Sequence, residues 1–179
     1  LKLLITRHGE TDWNSEQRFQ GTNDIPLNAL GEAQAQDLAD RMKTYPEKVA
    51  AIYTSPYKRA YRSAEIVADA IGLTPIPDDR IRELGYGDWE GHTNKEIAQL
   101  WPFEWEMYKY NTTIVAPNGE KVYNLAARVE DFIASMKAAH PDDTIMIVTH
   151  GGVLAMIGMI ALGIPPTGRR IFRSSNMAL

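Results

Sequence analysis

Residues 3–9, with the sequence LLITRHG, decide the fold of this chain. A run of strand length stops abruptly at Arg7 and His8, which is typical of a buried strand that delivers charged groups to the edge of a sheet. Arg7 offers a planar fork of donors for phosphate or carboxylate oxygens, and His8 is a nucleophile or base near neutral pH. Gly9 lets the backbone turn sharply. The stretch predicts the start of a catalytic site, but a surface turn with an isolated histidine has the same local sequence, so the rest of the chain must decide.

Two further apolar runs have the same character, Val49–Thr54 and Thr144–Thr149. None of the three runs alternates with polar residues, which is typical of parallel strands that are buried on both faces. Helical patterns separate each run from the next. The chain is therefore predicted to have an α/β fold around a mostly parallel sheet.

Turn and cap residues place the helices between these strands. Asn28 is a plausible N-cap, Ser55 and Pro56 suit the start of a helix that Gly72 ends, and a further helix is expected to begin at Val153. The remaining predicted elements are a loop at residues 12–27, a Pro-rich connection at 74–77, a loop at 82–91, an aromatic helix at 101–110 and a helix with Leu125, Val129, Phe132 and Met136 on one face.

Cationic or titratable groups follow each of the three strands at its carboxyl end. These groups are Arg7 and His8, then Arg59 in the first turn of the following helix, then His150. In open α/β sheets ligands bind outside the carboxyl ends of the strands, so these four side chains are expected to meet in one place. Such a concentration of positive charge predicts an anionic ligand.

The composition excludes several other classes of protein. The 179 residues suit one domain, and the net charge of −4 argues against a nucleic-acid-binding surface. There is no cysteine, and the four histidines do not pair at metal-ligand spacing, so we expect neither a metal site nor a cofactor. No export signal precedes the first strand and the apolar stretch 153–164 is shorter than a membrane span, so we expect a cytoplasmic protein without membrane contact.

Taken together, the motifs resemble those of the histidine phosphatase superfamily, over nearly the whole chain and in the same order. The resemblance implies a single domain over residues 1–179 with the phosphoglycerate mutase-like fold, a three-layer α/β/α architecture. It is carried by residues 7–11 (RHGET), Asn14, Gly21, residues 55–60 (SPYKRA), Glu83 with Gly91 behind it, and residues 149–152 (THGG).

The resemblance also implies a chemical role for each motif. His8 is expected to form a covalent phosphohistidine, with Arg7, Arg59 and His150 as further catalytic residues, and Glu83 to give a proton to the leaving group. The residues expected to hold the phosphate or line its pocket are Arg7, Asn14, Gln20, Gly21, Arg59, His150 and Gly151.

This chemistry is physically reasonable without a metal ion. A unit charge about 4 Å from an opposite one is worth roughly 4 kcal/mol at an effective dielectric near 20, so two arginines and an imidazolium would stabilise a phosphoryl group. The same cations disfavour protonation of His8. Glu83 has to be protonated when the ester bond breaks and ionised when it activates water. The plainer interpretation makes Glu83 the solvated partner of Arg80 or Arg82.

The segment after Glu83 favours a phosphatase over a mutase. Mutases of the superfamily carry adjacent arginines there, whereas residues 95–117 have two lysines against three glutamates, a net charge of −1, and five aromatic residues. We therefore predict a phosphoric monoester hydrolase of the histidine acid type, acting on a small organic phosphate. The alternatives are a cofactor-dependent phosphoglycerate mutase, which is an isomerase, and a non-catalytic phosphate-binding module. A homodimer stays open.

Two features fall outside the family pattern. Lys121 follows Glu120 where the superfamily commonly has a small hydroxyl residue, which puts one wall of the pocket in doubt. Ile171 and Phe172 predict a final strand, and we expect the native protein to continue beyond Leu179.

Overall fold

A four-stranded parallel sheet organises the structure, a computed structural model that describes residues 1–110, 116–166 and 175–178. In these residues the strand order is β1-β4-β2-β3, and helices cover both faces, as the α/β prediction required. The strands are β1 (Lys2–Arg7), β2 (Val49–Thr54), β3 (Pro75–Pro77) and β4 (Thr144–Thr149). The helices are α1 (Asp12–Ser15), α2 (Ala29–Lys43), α3 (Lys58–Ile71), α4 (Asn94–Leu100), α5 (Pro102–Tyr110), α6 (Val122–Ala139) and α7 (Gly151–Ala161), with 3₁₀ turns at Asp79–Ile81 and Gly87–Trp89.

β4 shows why the apolar runs do not alternate with polar residues. All six of its residues are buried, because it lies between β1 and β2 with helices on both faces. Ile145 and Ile147 pack with α6 and α7, whereas Met146 and Val148 pack with α2 and α3. A strand that faces two apolar layers needs an uninterrupted apolar sequence.

The register of the strands brings their ends together. Arg7 pairs with Thr149 across β1 and β4, and Thr54 pairs with Val148 across β2 and β4. The backbone pairing continues past the strands, since His8 N donates to the Thr149 carbonyl at 2.9 Å. His8 and His150 therefore leave neighbouring strands at the same level of the carboxyl edge.

The predicted helix ends are confirmed at two positions and wrong at two others. Asn28 caps α2 by accepting from Gly31 N at 2.9 Å, and Gly72 ends α3 in the left-handed region with φ 71°. α3 begins at Lys58 with Tyr57 as N-cap, not at Ser55 and Pro56, because the Ser55 hydroxyl bonds instead to the Tyr57 amide and to His150.

Four further expectations need correction or lie beyond the structure. The connection at 74–77 contains the edge strand β3, where prolines are tolerated because only one side of the strand needs a partner. α7 begins two residues before Val153, and the loop at 12–27 contains α1. Ile171 and Phe172, expected in a strand, lie outside the described residues. Within those residues, no helix has both the length and the apolar character to cross a bilayer.

Candidate active site

The two histidines that follow β1 and β4 face each other across a short gap. Their ring centroids lie 5.1 Å apart at an interplanar angle of 60°, and His8 and His150 are 2% and 0% exposed. The parallel register explains this placement, because adjacent strands deliver the residue after their last pair to the same edge. The predicted meeting of the two imidazoles is therefore present.

His8 is held with one ring nitrogen free. Nδ1 lies 2.7 Å from the Gly9 carbonyl, which can only accept, so the proton sits on Nδ1 and the Nε2 lone pair is exposed to the site. Burial, and then the positive charges of Arg59 and Arg7, hold the pKa of His8 well below its usual value of 6.5. The expected effect of the cations on His8 is confirmed, although burial is the larger cause.

His150 differs from the expected imidazolium. Burial first, then the charge of Arg59, lowers the pKa of His150 well below 6.5, so the ring is neutral near pH 7. Nε2 lies 2.7 Å from the Ser55 hydroxyl, and Nδ1 is buried without a partner among the described residues. The Tyr57 ring packs against the imidazole at 5.6 Å between centroids. The positive charge of the site therefore comes from arginine alone.

The two arginines present unused donors. Arg59 is fully buried, with Nη1 donating to the Asn23 carbonyl at 2.7 Å and Nη2 to the Gly21 carbonyl at 2.9 Å, while its Nε has no partner. Arg7 makes no side-chain hydrogen bond to any described residue, and its Nε is buried. Burial lowers the pKa of both guanidinium groups, but neither loses its proton in a protein. Buried cationic donors without partners are unfavourable unless an anion meets them.

Glu83 lies at the amino terminus of α7. Its Oε1 accepts from Leu84 N at 2.9 Å and its Oε2 accepts from Gly152 N at 3.3 Å. It also interacts electrostatically with Arg7 and Arg59. The plainer interpretation of Glu83 is wrong, because the two neighbouring arginines are paired elsewhere. Arg80 pairs with Asp78 and Asp131, and Arg82 lies 4.0 Å from Glu120.

Arg128 on α6 holds the backbone around Glu83. Its Nη1 donates to the carbonyls of Arg80 and Arg82 at 2.7 and 2.6 Å, and its Nη2 reaches the Glu83 carbonyl at 3.3 Å. Nε donates at 2.9 Å to Glu120, whose other oxygen accepts from Gly85 N. No pattern in the sequence indicates this clamp, since an arginine on an amphipathic helix normally faces solvent.

Glu90 ties the Glu83 region to the loop that carries Gly21. Its carboxylate accepts from Thr22 N at 2.8 Å, from Asn23 Nδ2 at 2.7 Å and from Tyr86 N at 2.9 Å. Gly21 has φ 52°, and a Cβ there would lie 1.9 Å from the Glu90 Oε1 atom. The glycine therefore permits the close approach that lets the Gly21 carbonyl hold Arg59.

The other expected pocket residues are Asn14, Gln20 and Gly151. Asn14 accepts from Thr11 N through Oδ1 at 3.2 Å, which leaves its Nδ2 without a partner among the described residues. Gln20 is 8% exposed, with its Oε1 unpartnered. A Cβ on Gly151 would meet only Arg7 Nε, at 3.9 Å, so the helix start is open toward Arg7.

Asn176, from the end of the chain, also reaches the site. Its Nδ2 donates to the His8 carbonyl at 2.7 Å, and Met177 N donates to the Arg7 carbonyl at 2.9 Å. The contact joins residues 168 positions apart, so no local pattern in the sequence indicates it.

Most of the described side chains of the aromatic segment pack against the core. Trp105 and Tyr108 contact Trp89 at 5.6 and 5.2 Å between ring centroids, whereas Phe103 is 73% exposed. Among the residues that the structure describes, no group of three or more histidine, aspartate or glutamate side chains is arranged to hold a metal ion.

Comparison with known proteins agrees with this geometry. A family model described as the histidine phosphatase superfamily (branch 1) matches residues 3–179. An uncharacterised phosphatase of Bacillus subtilis, PhoE, is 38% identical over 91% of this chain and 79% of its own length.

Two solved structures are similar over most of the chain. YhfR of Bacillus stearothermophilus is 35% identical with a TM-score of 0.87, covering 97% of this chain and 86% of that one. A mycobacterial glucosyl-3-phosphoglycerate phosphatase complexed with VO₃ is 29% identical with a TM-score of 0.89, again over 97% and 86%. The chain that carries this pair of facing histidines belongs to the histidine phosphatase superfamily, branch 1.

Proposed function

We propose that this chain is a phosphomonoester hydrolase that acts on small organic phosphates through a phosphohistidine on His8, with Glu83 as proton donor. Arg7, Arg59 and His150 hold the transferred phosphoryl group, and the two arginines supply the positive charge that a metal ion supplies in other phosphoryl-transfer enzymes.

One observation carries the proposal: three side chains that interact with His8 each have a buried nitrogen without a partner among the described residues. The unpartnered atoms are Nε of Arg7, Nε of Arg59 and Nδ1 of His150, beside the free Nε2 of His8. Polar atoms in a folded protein are rarely buried without a partner, and exceptions are concentrated where a ligand completes them. A phosphoryl group carries oxygens for each donor and a phosphorus for the lone pair.

The reaction proceeds in two displacements. His8 Nε2 attacks phosphorus, the ester P–O bond breaks, and protonated Glu83 gives its proton to the departing oxygen, which leaves as an alcohol. Ionised Glu83 then takes a proton from water as the water oxygen attacks phosphorus and the P–N bond breaks. Inorganic phosphate leaves and Glu83 is protonated again. The hydrogen bonds from Leu84 N and Gly152 N hold the carboxylate in position between the steps.

The names of two compared structures support the proposed class of substrate. The compared structures include a glucosyl-3-phosphoglycerate phosphatase and a putative alpha-ribazole-5'-P phosphatase of Escherichia coli, the latter 27% identical with a TM-score of 0.81. Both act, by their names, on a phosphate ester of a sugar-containing compound. We extend to this chain only the class, a small organic phosphomonoester.

The experiment is hydrolysis of p-nitrophenyl phosphate by purified protein, followed by trapping of the intermediate from ³²P-labelled substrate. We expect turnover and an acid-labile, base-stable phosphoryl label that disappears in His8→Asn. Phosphate binding without turnover under any condition would favour the non-catalytic module.

A mutase is the second candidate, because relatives named as probable phosphoglycerate mutase GpmB are 34–35% identical. Incubation with 3-phosphoglycerate and a bisphosphate primer separates the two activities. Net release of phosphate supports the hydrolase. Primer-dependent interconversion of 2- and 3-phosphoglycerate that exceeds phosphate release would contradict it.

A further inference from the structure

Ser55 connects the end of β2 to the second histidine of the site. The residue is fully buried, and its Oγ lies 2.7 Å from His150 Nε2. Oγ also accepts from Tyr57 N at 3.3 Å. The side chain makes no other hydrogen bond to the described residues, so its one proton and two lone pairs can be assigned by counting.

The count favours one arrangement of protons. The Tyr57 amide can only donate, so it takes one lone pair of Oγ. If His150 carried its proton on Nε2, that proton would take the second lone pair, and the serine proton would be buried with no acceptor. If Nε2 is bare, the serine proton has its acceptor and every group around Oγ is satisfied.

We propose that Ser55 fixes the tautomer of His150, placing the imidazole proton on Nδ1 and making the neutral ring a hydrogen-bond donor to a phosphoryl oxygen. Ser55 is a positioning residue, since it acts through His150. The inference deepens the proposed function, because the donor it creates meets the phosphoryl group that His8 receives.

The physical consequence is that the two imidazoles have opposite roles. The Gly9 carbonyl leaves a lone pair on the ring of His8 that faces the site, whereas the Ser55 hydroxyl leaves a proton on the buried, unpartnered nitrogen of His150. The other tautomer of His150 would point a lone pair at an anion. An imidazolium would instead place a third positive charge 5.1 Å from the His8 ring and disfavour the attacking state of its neighbour.

The test uses Ser55→Ala, the conservative variant Ser55→Thr and the matched control Thr54→Val. Thr54 is also fully buried, but its hydroxyl donates only to the Ser55 and Val148 carbonyls, each at 3.2 Å, so its removal leaves His150 untouched. Imidazole ¹⁵N spectra of phosphate-free protein report the tautomer, with the His150 resonances identified by their loss in His150→Asn. Calorimetric titration gives the Kd for inorganic phosphate, which reports whether His150 Nδ1 donates a hydrogen bond to the anion.

We expect Nδ1 to be protonated in the wild type, in Ser55→Thr and in Thr54→Val. In Ser55→Ala we expect a mixture of tautomers and a Kd for inorganic phosphate that is about tenfold higher, the size of one hydrogen bond to a charged group. Thermal unfolding of Ser55→Ala and Thr54→Val measures how much stability each variant loses with its buried hydroxyl.

Two results overturn the inference: a proton on Nε2 of His150 in the wild type, or a Ser55→Ala protein whose tautomer is unchanged. The wild-type spectrum gives the first without any variant, so a misfolded Ser55→Ala does not block the test. Neither readout uses turnover. If the protein hydrolyses phosphate esters normally but His150 is protonated on Nε2, only this inference is wrong. If His150 has the expected tautomer but the protein shows no turnover, only the proposed function is wrong.

Discussion

His8 and His150 stand at the ends of paired strands, whereas Glu83 stands in a loop, residues 82–91, that side chains from elsewhere hold in place. The histidines are placed by backbone register, with His8 N bonded to the Thr149 carbonyl. The Glu83 loop depends instead on Arg128 from α6 and on Glu90, which bonds to the loop at residues 21–23.

The difference teaches where each half of the site is vulnerable. Backbone pairing does not depend on side-chain identity, so a substitution at a strand end removes a chemical group and leaves its neighbours in position. A loop held by a few charged side chains moves when one of them is lost. We therefore expect substitution of a strand-end histidine to remove a chemical group without moving its neighbours. Loss of a side chain that holds the loop should instead move Glu83 out of position.

The largest effect is expected for His8→Asn. The variant keeps a polar side chain at the strand end but removes the nucleophile, so kcat for p-nitrophenyl phosphate should fall by about 10⁴-fold or more. Circular dichroism and thermal unfolding should show an intact fold. Residual turnover above one part in about a thousand would mean that His8 does not carry the phosphoryl group.

Glu83→Gln comes next and separates proton donation from placement. Glutamine keeps an oxygen to accept from Leu84 N or Gly152 N but does not act as an acid, so we expect a fall in kcat of roughly 10²–10⁴-fold for an alkyl phosphate. The fall should be much smaller for p-nitrophenyl phosphate, whose leaving group needs no proton. Equal losses for the two substrates would remove Glu83 from the role of proton donor.

Arg128→Met tests the loop itself. The variant removes the bonds to the carbonyls of Arg80, Arg82 and Glu83 and leaves Glu120 without its cation, so we expect a loss of about 2–4 kcal/mol in the free energy of unfolding. Because Glu83 loses its position, kcat should fall by roughly 10- to 100-fold, more for alkyl than for aryl esters.

Arg80→Met is the matched control for Arg128→Met. Arg80 lies next to the same loop, but its side chain bonds to Asp78, Asp131 and Ser135 and not to the Glu83 backbone. We expect a small loss of stability and an unchanged ratio of alkyl to aryl turnover. A ratio that shifts equally in both variants would show that any disturbance near the loop has this effect.

The same contrast explains what could be predicted from the sequence. The strand ends were predictable because three apolar runs mark the strands and the first residue after each run is placed by register. Arg7, His8, Arg59 and His150 therefore come together as expected. The ionisation of His150 was not predictable, because it depends on how completely the ring is buried and not on which charges lie near it in sequence.

The position of the Glu83 loop could not be predicted from the sequence in the same way. Glu83 is predicted only through the family resemblance. The contacts of Arg128, Glu90 and Asn176 were not predictable, because each acts across at least 45 positions or through backbone groups that any residue carries. The sequence predicts a helix cap at Ser55, since a serine before a proline at a strand end is typical of one. In the fold its hydroxyl meets His150, a contact that only the register of β2 against β4 creates.

The smallest expected effect is the dependence of the free energy of unfolding on pH. It tests the lowered pKa values of both strand-end histidines. Because the pKa values of His8 and His150 are lowered in the folded state, the unfolded chain binds more protons once the pH falls below about 6.5. The free energy of unfolding should therefore be flat above that pH and decrease below it, until the folded rings also take up protons. The carboxyls of Asp78 and Glu120, whose pKa values are also lowered, add a loss of the same sign only below their ordinary values of 3.8 and 4.5.

Urea unfolding between pH 7.5 and 5 isolates the contribution of the two rings. We expect the wild type to lose stability across this range and His8→Asn to lose less, because the variant has one buried imidazole fewer to protonate. An identical slope in the wild type and His8→Asn would mean that His8 does not contribute to the loss of stability in mild acid, so that its ring takes up a proton in the folded state as readily as in the unfolded chain.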